Sequence, residues 1–233
     1  MQPMSLLIAT GVLFVGTHFA LSHPLRGGLV ARLGERGFQI VYSIVAIATF
    51  AMMVQAFRGL PPEPPLWAVD DPLWILASLL VLFASILFMG SLIGNPALPA
   101  PGAAAAAQSA PRGVFAITRH PMMWGFALWA LAHVLVMPTP AQIVLSAIIA
   151  FLALVGSAGQ DAKKARLMGD AWRHWAARTS FVPFGRQVAG VTPWGDTIPR
   201  GHALFGGIVL WLVATWAHGA IGYMGAGIWR WVG

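Results

Sequence analysis

The sequence contains no cysteine. Disulfides, thiolate nucleophiles and iron–sulfur clusters are therefore excluded. Charge is also scarce. Only 9% of the residues are Asp, Glu, Lys or Arg, against about 25% in soluble domains. Acidic side chains number seven. With so few carboxylates, no thiolate and no HExxH pair, a zinc hydrolase site is not expected. Internal repeats are absent. The amino-terminal apolar run has neither a basic flank nor an A-x-A-type cleavage site, and reads as a retained helix rather than a signal peptide.

What is present is apolar sequence. Hydrophobic residues make up 58% of the chain, and its mean hydropathy is +0.74. Runs of this kind identify an integral membrane protein. The sequence predicts an all-α fold, a bundle of about six transmembrane helices over 4–24, 38–58, 72–94, 120–137, 140–159 and 203–224, in a single domain covering 1–233. Only MPTP (137–140) separates the fourth and fifth runs, a tight helical hairpin with prolines at its turn. A cytoplasmic segment over 161–202 follows.

Twelve of the 14 Lys and Arg residues fall in three loops: after the first run, after the third and after the fifth. The opposite side holds only Arg58 and Arg230. The positive-inside bias puts the three basic loops in the cytoplasm and both termini on the periplasmic side. The net charge of +7 is thus a topology signal. It implies contact with anionic membrane lipid and no nucleic-acid partner. Residues 95–113, rich in Pro and Ala, read as a loose connection with a short helix over the alanines. Residues 161–178 alternate basic and apolar positions at helical spacing. With Leu167, Trp172 and Trp175 on one face, they predict an amphipathic cytoplasmic helix on the membrane surface. The eleven Trp residues cluster near run ends as an interfacial belt.

Seven histidines remain to be placed. His174 and His202 belong to the cytoplasmic segment. His23 and His120 each precede a proline at a membrane boundary. His18, His133 and His218 lie within apolar runs, where an ionisable residue is a candidate functional site. His18 and His23, in the stretch THFALSH, are five apart. That is about 140° around a helix, so they cannot grip one metal together. A shared ligand must be held between helices, and two neutral imidazoles in an apolar bundle suit haem iron. By depth, His18 lies about 9 Å and His133 about 21 Å from the cytoplasmic end. His218 lies near the level of His133, so depth pairs His133 with His218. Arg119, His120, Asp161 and Arg178 form a second candidate, at the cytoplasmic surface. They can build an anion or headgroup pocket at a helix amino terminus, or a structural clamp tying the basic helix to the hairpin.

Five stretches carry a family resemblance: VGTHFALSHPLR (15–26), RLGERGFQIVYS (32–43), ITRHPMMWGFALWALAH (117–133), GDAWRHW (169–175) and RTSFVPFG (178–185). They resemble the NnrU family of bacterial membrane proteins, which is related to zeta-carotene isomerase. The resemblance implies a multi-pass protein of the bacterial inner membrane. It implies haem b ligated by His18 and His133; His218, which depth places level with His133, is the substitute ligand. It also implies either cis–trans isomerisation of a lipid-soluble polyene or a part in nitric oxide and nitrite metabolism. The latter includes a non-catalytic redox or nitric-oxide sensor or accessory factor. A cysteine used by the isomerase for ligand exchange falls on Ala130, so this chain has no thiolate for that exchange. RHPMMWG, the hairpin and VPF also resemble the S-adenosylmethionine site of membrane methyltransferases. There Met123 replaces an aromatic residue, and Asp161 alone remains of an acidic pair.

Overall fold

The structure, a computed structural model, describes residues 3–99 and 101–232. The described residues form helices and no strand. The long helices are α1 (Pro3–Ser22), α2 (Arg26–Arg58), α3 (Asp71–Gly90), α6 (Pro121–Val136), α7 (Pro140–Met168) and α10 (Gly201–Ala220). Short helices α4 (Ala103–Gln108), α5 (Val114–Ile117), α8 (Asp170–Arg178), α9 (Gly185–Val188) and α11 (Trp229–Val232) lie between and after them. All six expected runs are helical. Five are long and apolar enough to cross a membrane, which makes the chain a multi-pass membrane protein. The sixth, α6, has 16 residues, short of the roughly 20 that a bilayer core requires. It is packed between α3 and α7.

The long helices pack in the order α2, α1, α7, α6, α3, α10. Leu7, Phe14, Met53 and Leu145 close the seam between α1, α2 and α7. Two glycines let backbones approach on the faces of α3. A Cβ on Gly125 would lie 2.9 Å from the Ala84 carbonyl oxygen, and one on Gly207 would lie 2.6 Å from Ile86 Cα. Without a strong hydrophobic drive in lipid, close packing of this kind holds helices together. Gly207→Leu is therefore expected to push α10 off α3 and cost about 1–3 kcal/mol, read as a lower unfolding midpoint in detergent.

Three sequence expectations change. The stretch around 26–37, expected as a loop, is helical, and α2 kinks at Gly34 (φ 70°, ψ 171°). Only glycine takes such a φ without strain. An ion pair of 2.7 Å between Arg26 and Glu35 spans the kink. Next, α7 runs on through Met168 until Gly169, at φ 55°, breaks the helix. The expected surface helix over 161–178 is therefore two helices. Leu167 is 59% exposed, while Trp172 and Trp175 are buried against Ala97, Ala107 and Phe115. The apolar face of α8 is covered by protein, because the connection before α6 folds over it. Finally, that connection is held firmly. Asn95 Nδ2 donates to Ser91 Oγ at 2.7 Å and Lys164 Nζ to the Pro96 carbonyl at 2.9 Å. The alanine helix forms as expected.

Candidate functional site

Two cavities open between the long helices, and the three histidines within the apolar helices line them. The first, about 390 Å³, lies between α3, α6 and α10, with residues 223–227 beside it. His133 and His218 meet in it, their ring centroids 6.2 Å apart and their planes inclined by 34°. The second, about 660 Å³, lies between α1, α2, α6 and α7 and includes His18. Thus the structure brings His133 to His218 and places His18 in a separate chamber. Trp129 and Phe126, three residues apart on α6, line both cavities.

Helix geometry prepares all three imidazoles in the same way. Nδ1–H donates to the carbonyl four residues earlier: Phe14 for His18 at 2.7 Å, Trp129 for His133 at 2.8 Å, and Ala214 for His218 at 2.8 Å. A carbonyl oxygen can only accept, so Nδ1 carries the proton, and in the neutral ring Nε2 keeps its lone pair. Fixing one nitrogen by a backbone bond is how proteins orient a metal-ligating histidine. Among the described residues, no protein donor meets any of the three Nε2 atoms.

The rest of the first cavity is almost wholly apolar. Trp129 packs against His133 with centroids 4.0 Å apart and planes inclined by 36°. Ser78 lines the cavity, and its buried hydroxyl has no partner among the described residues. Trp74 forms part of the wall, with the Arg230 guanidinium 4.5 Å over its ring. Arg230 also reaches Asp71 at 3.4 Å. No group of three or more His, Asp or Glu side chains that could hold a metal ion occurs among the described residues.

The other candidate cluster gathers around Asp161. Arg119 pairs with Asp161 Oδ2 at 2.6 Å, and His120 Nε2–H donates to Asp161 Oδ1 at 2.7 Å. The Arg119 guanidinium lies over Phe181, and its backbone N–H donates to Ser180. Thr118 and Trp124 both donate to the Phe181 carbonyl. The start of α6 is thereby tied to α7 and to the segment after α8. His120 is 2% exposed. Arg178, expected in this cluster, points elsewhere: it donates to the Ala107 and Gln108 carbonyls and caps α4. Arg178→Ala is expected to loosen α4 and cost about 1 kcal/mol, measured as faster amide exchange over 103–108.

His23 lies in the turn after α1, beside the second cavity. Burial, and then the cationic Lys163 and Arg166, hold its imidazole below the ordinary histidine value. It is the neutral form that faces the cavity at pH 7.

Several site residues escape sequence reasoning. Trp129, Tyr42, Ser78 and Arg230 line or flank the cavities. Only Trp129, one helical turn before His133, carried a readable signal, and the interfacial belt absorbed it. The family model described as "NnrU protein" matches residues 6–226, nearly the whole chain. Neither the curated proteins nor the solved structures include a match.

Proposed function

The chain belongs to the NnrU family, and from that premise we propose that it is a haem-b protein of the bacterial inner membrane, with His133 and His218 as the residues that would hold the iron. The observation that carries this reading is the pair of imidazoles 6.2 Å apart, each with Nδ1 tied to its own helix. Two imidazoles at that separation are near enough for both to hold one metal ion through bonds of about 2 Å. The surroundings also suit the group. Haem b is a flat, apolar macrocycle with carboxylate edges. The cavity is walled by aromatic and aliphatic side chains, has an unsatisfied hydroxyl at Ser78, and has a guanidinium, Arg230, against its Trp74 wall.

Haem supplies one-electron chemistry and a place for small gases to bind. The protein's own part is to hold the two imidazoles, exclude water and present an apolar wall. Such a wall admits a lipid-soluble partner, either a polyene or nitric oxide. If both histidines held the iron, neither would be free to make way for nitric oxide without releasing its hold. Relation to zeta-carotene isomerase would make polyene isomerisation the catalytic use, and a redox sensor or accessory factor the non-catalytic one. For the methyltransferase reading, Asp161 is the remaining carboxylate, and it is engaged by both Arg119 and His120. That supports a clamp over a site for a cationic sulfonium.

Titrating haem into detergent-purified protein tests the proposal. The expected result is one haem per chain, with a sharp reduced Soret band and α band. A chain that stays colourless after expression with ample haem sinks it.

A further inference from the structure

The second cavity has a polarity gradient that the haem reading does not use. At one end stand Ser22, His23, Gln160 and Lys163; the remainder is lined chiefly by apolar side chains such as Phe50 and Ile149. The polar end coincides with the end of the molecule where the basic residues gather. Lys163 is partly buried yet makes no hydrogen bond or ion pair among the described residues, whereas its neighbour Arg26 is matched by Glu35. A half-buried ammonium without a partner is costly, and an anion placed beside it removes that cost.

We propose that this cavity binds a single-chain anionic amphiphile, with its head at Lys163 and His23 and its chain running along α7 toward Ile149. Three features select that class. First, Ile149 and Lys163 are fourteen residues apart on one continuous helix, about 21 Å at 1.5 Å per residue, which suits an extended long-chain carboxylate. Second, a cavity of about 660 Å³ is of the size that holds one drug-sized molecule, roughly 300–1,000 Å³. A one-chain amphiphile fits that range, and a two-chain phospholipid exceeds it. Third, the charged end lies where the basic loops meet the membrane surface, so a ligand can enter from the leaflet with its head already at that level. Neutral His23 can donate a hydrogen bond to the head, while Lys163 supplies the charge. Below the head, His18 and Tyr42, with ring centroids 5.5 Å apart, border the chain.

The test uses the full-length protein in phosphatidylcholine nanodiscs, with tritiated hexadecanoate as probe and hexadecanol and hexadecyltrimethylammonium as competitors. The expected result is one saturable site per chain, with hexadecanoate preferred over hexadecanol by at least tenfold and the cationic competitor the weakest. Lys163→Glu should abolish the preference for the carboxylate. Gly156→Phe should block all three, because a Cβ at Gly156 meets only Leu152, at 3.8 Å, and a ring there can extend into the cavity without disturbing the helices. Native-like melting of both variants establishes that they fold. Equal binding of the three probes, or full binding in Lys163→Glu, overturns the proposal. So does complete displacement of hexadecanoate in phosphatidylglycerol nanodiscs, which would mark a general contact with anionic lipid. Haem content plays no part in the readout, so failure here leaves the haem reading standing, and the reverse.

Discussion

Haem-loaded protein is expected to lose its sharp reduced bands in His133→Ala and in His218→Ala, and to keep them in His18→Ala. The reason is geometric. His133 and His218 meet in one cavity with ring centroids 6.2 Å apart. His18 lines the other cavity, packed against Phe14 and Tyr42. If these two imidazoles hold the iron, loss of either should replace the sharp bands with a broad spectrum. Haem affinity should fall at least as far as the roughly 10–100-fold that loss of a mere supporting group costs a metal site. Spectra of the three variants beside the native protein decide the matter. If His18→Ala and His133→Ala lose the bands while His218→Ala keeps them, the ligand pair implied by family resemblance is correct. The iron would then lie at the Trp129 wall that the two cavities share.

Asp161→Ala is expected to destabilise the protein by about 2–4 kcal/mol, since removing one partner leaves buried charge and polarity uncompensated. Arg119 and Asp161 side chains are 17% and 20% exposed, and that of His120 is 1% exposed. Asp161 is the only carboxylate they share among the described residues. Its loss releases the start of α6 from α7 and leaves two nitrogen donors without an acceptor. Arg119→Met with Asp161→Ala should cost less than the sum of the single changes, because the double variant buries no lone charge. Unfolding in mixed detergent, followed by tryptophan fluorescence, gives the midpoints. A near-native midpoint for Asp161→Ala, together with weaker binding of anionic headgroups, would favour the pocket over the clamp.

Much of this architecture could be read before any coordinates. The six helical runs, the proline hairpin at 137–140 and the concentration of basic residues at one end follow from hydropathy and charge alone. These are local or additive properties. Burying apolar runs in lipid requires helices, because every backbone polar group must be satisfied internally. The three histidines also stood out, because imidazole in an apolar run is rare. The depth argument matched His133 with His218, and those two rings share a cavity with centroids 6.2 Å apart. Family resemblance had favoured His18.

Other features depended on which helix packs beside which, and no local pattern encodes that. Arg178 looked like a member of the Arg119 cluster because both were expected at the cytoplasmic membrane surface. The break at Gly169 instead turns it onto the carbonyls that end α4. Trp172 and Trp175 looked like membrane anchors, and protein covers them. The partition of the histidines into two chambers is likewise a matter of packing. Sequence by itself determined that this chain is a helical, multi-pass membrane protein with one basic end, because transfer free energy acts residue by residue. Tertiary structure alone decided that His18 stands in a separate chamber from His133, that Arg119 and His120 both engage Asp161, and that Lys163 stands at the charged end of an apolar cavity. Those outcomes depend on helix neighbours distant in sequence, whose close approach is set by small residues such as Gly125 and Gly207.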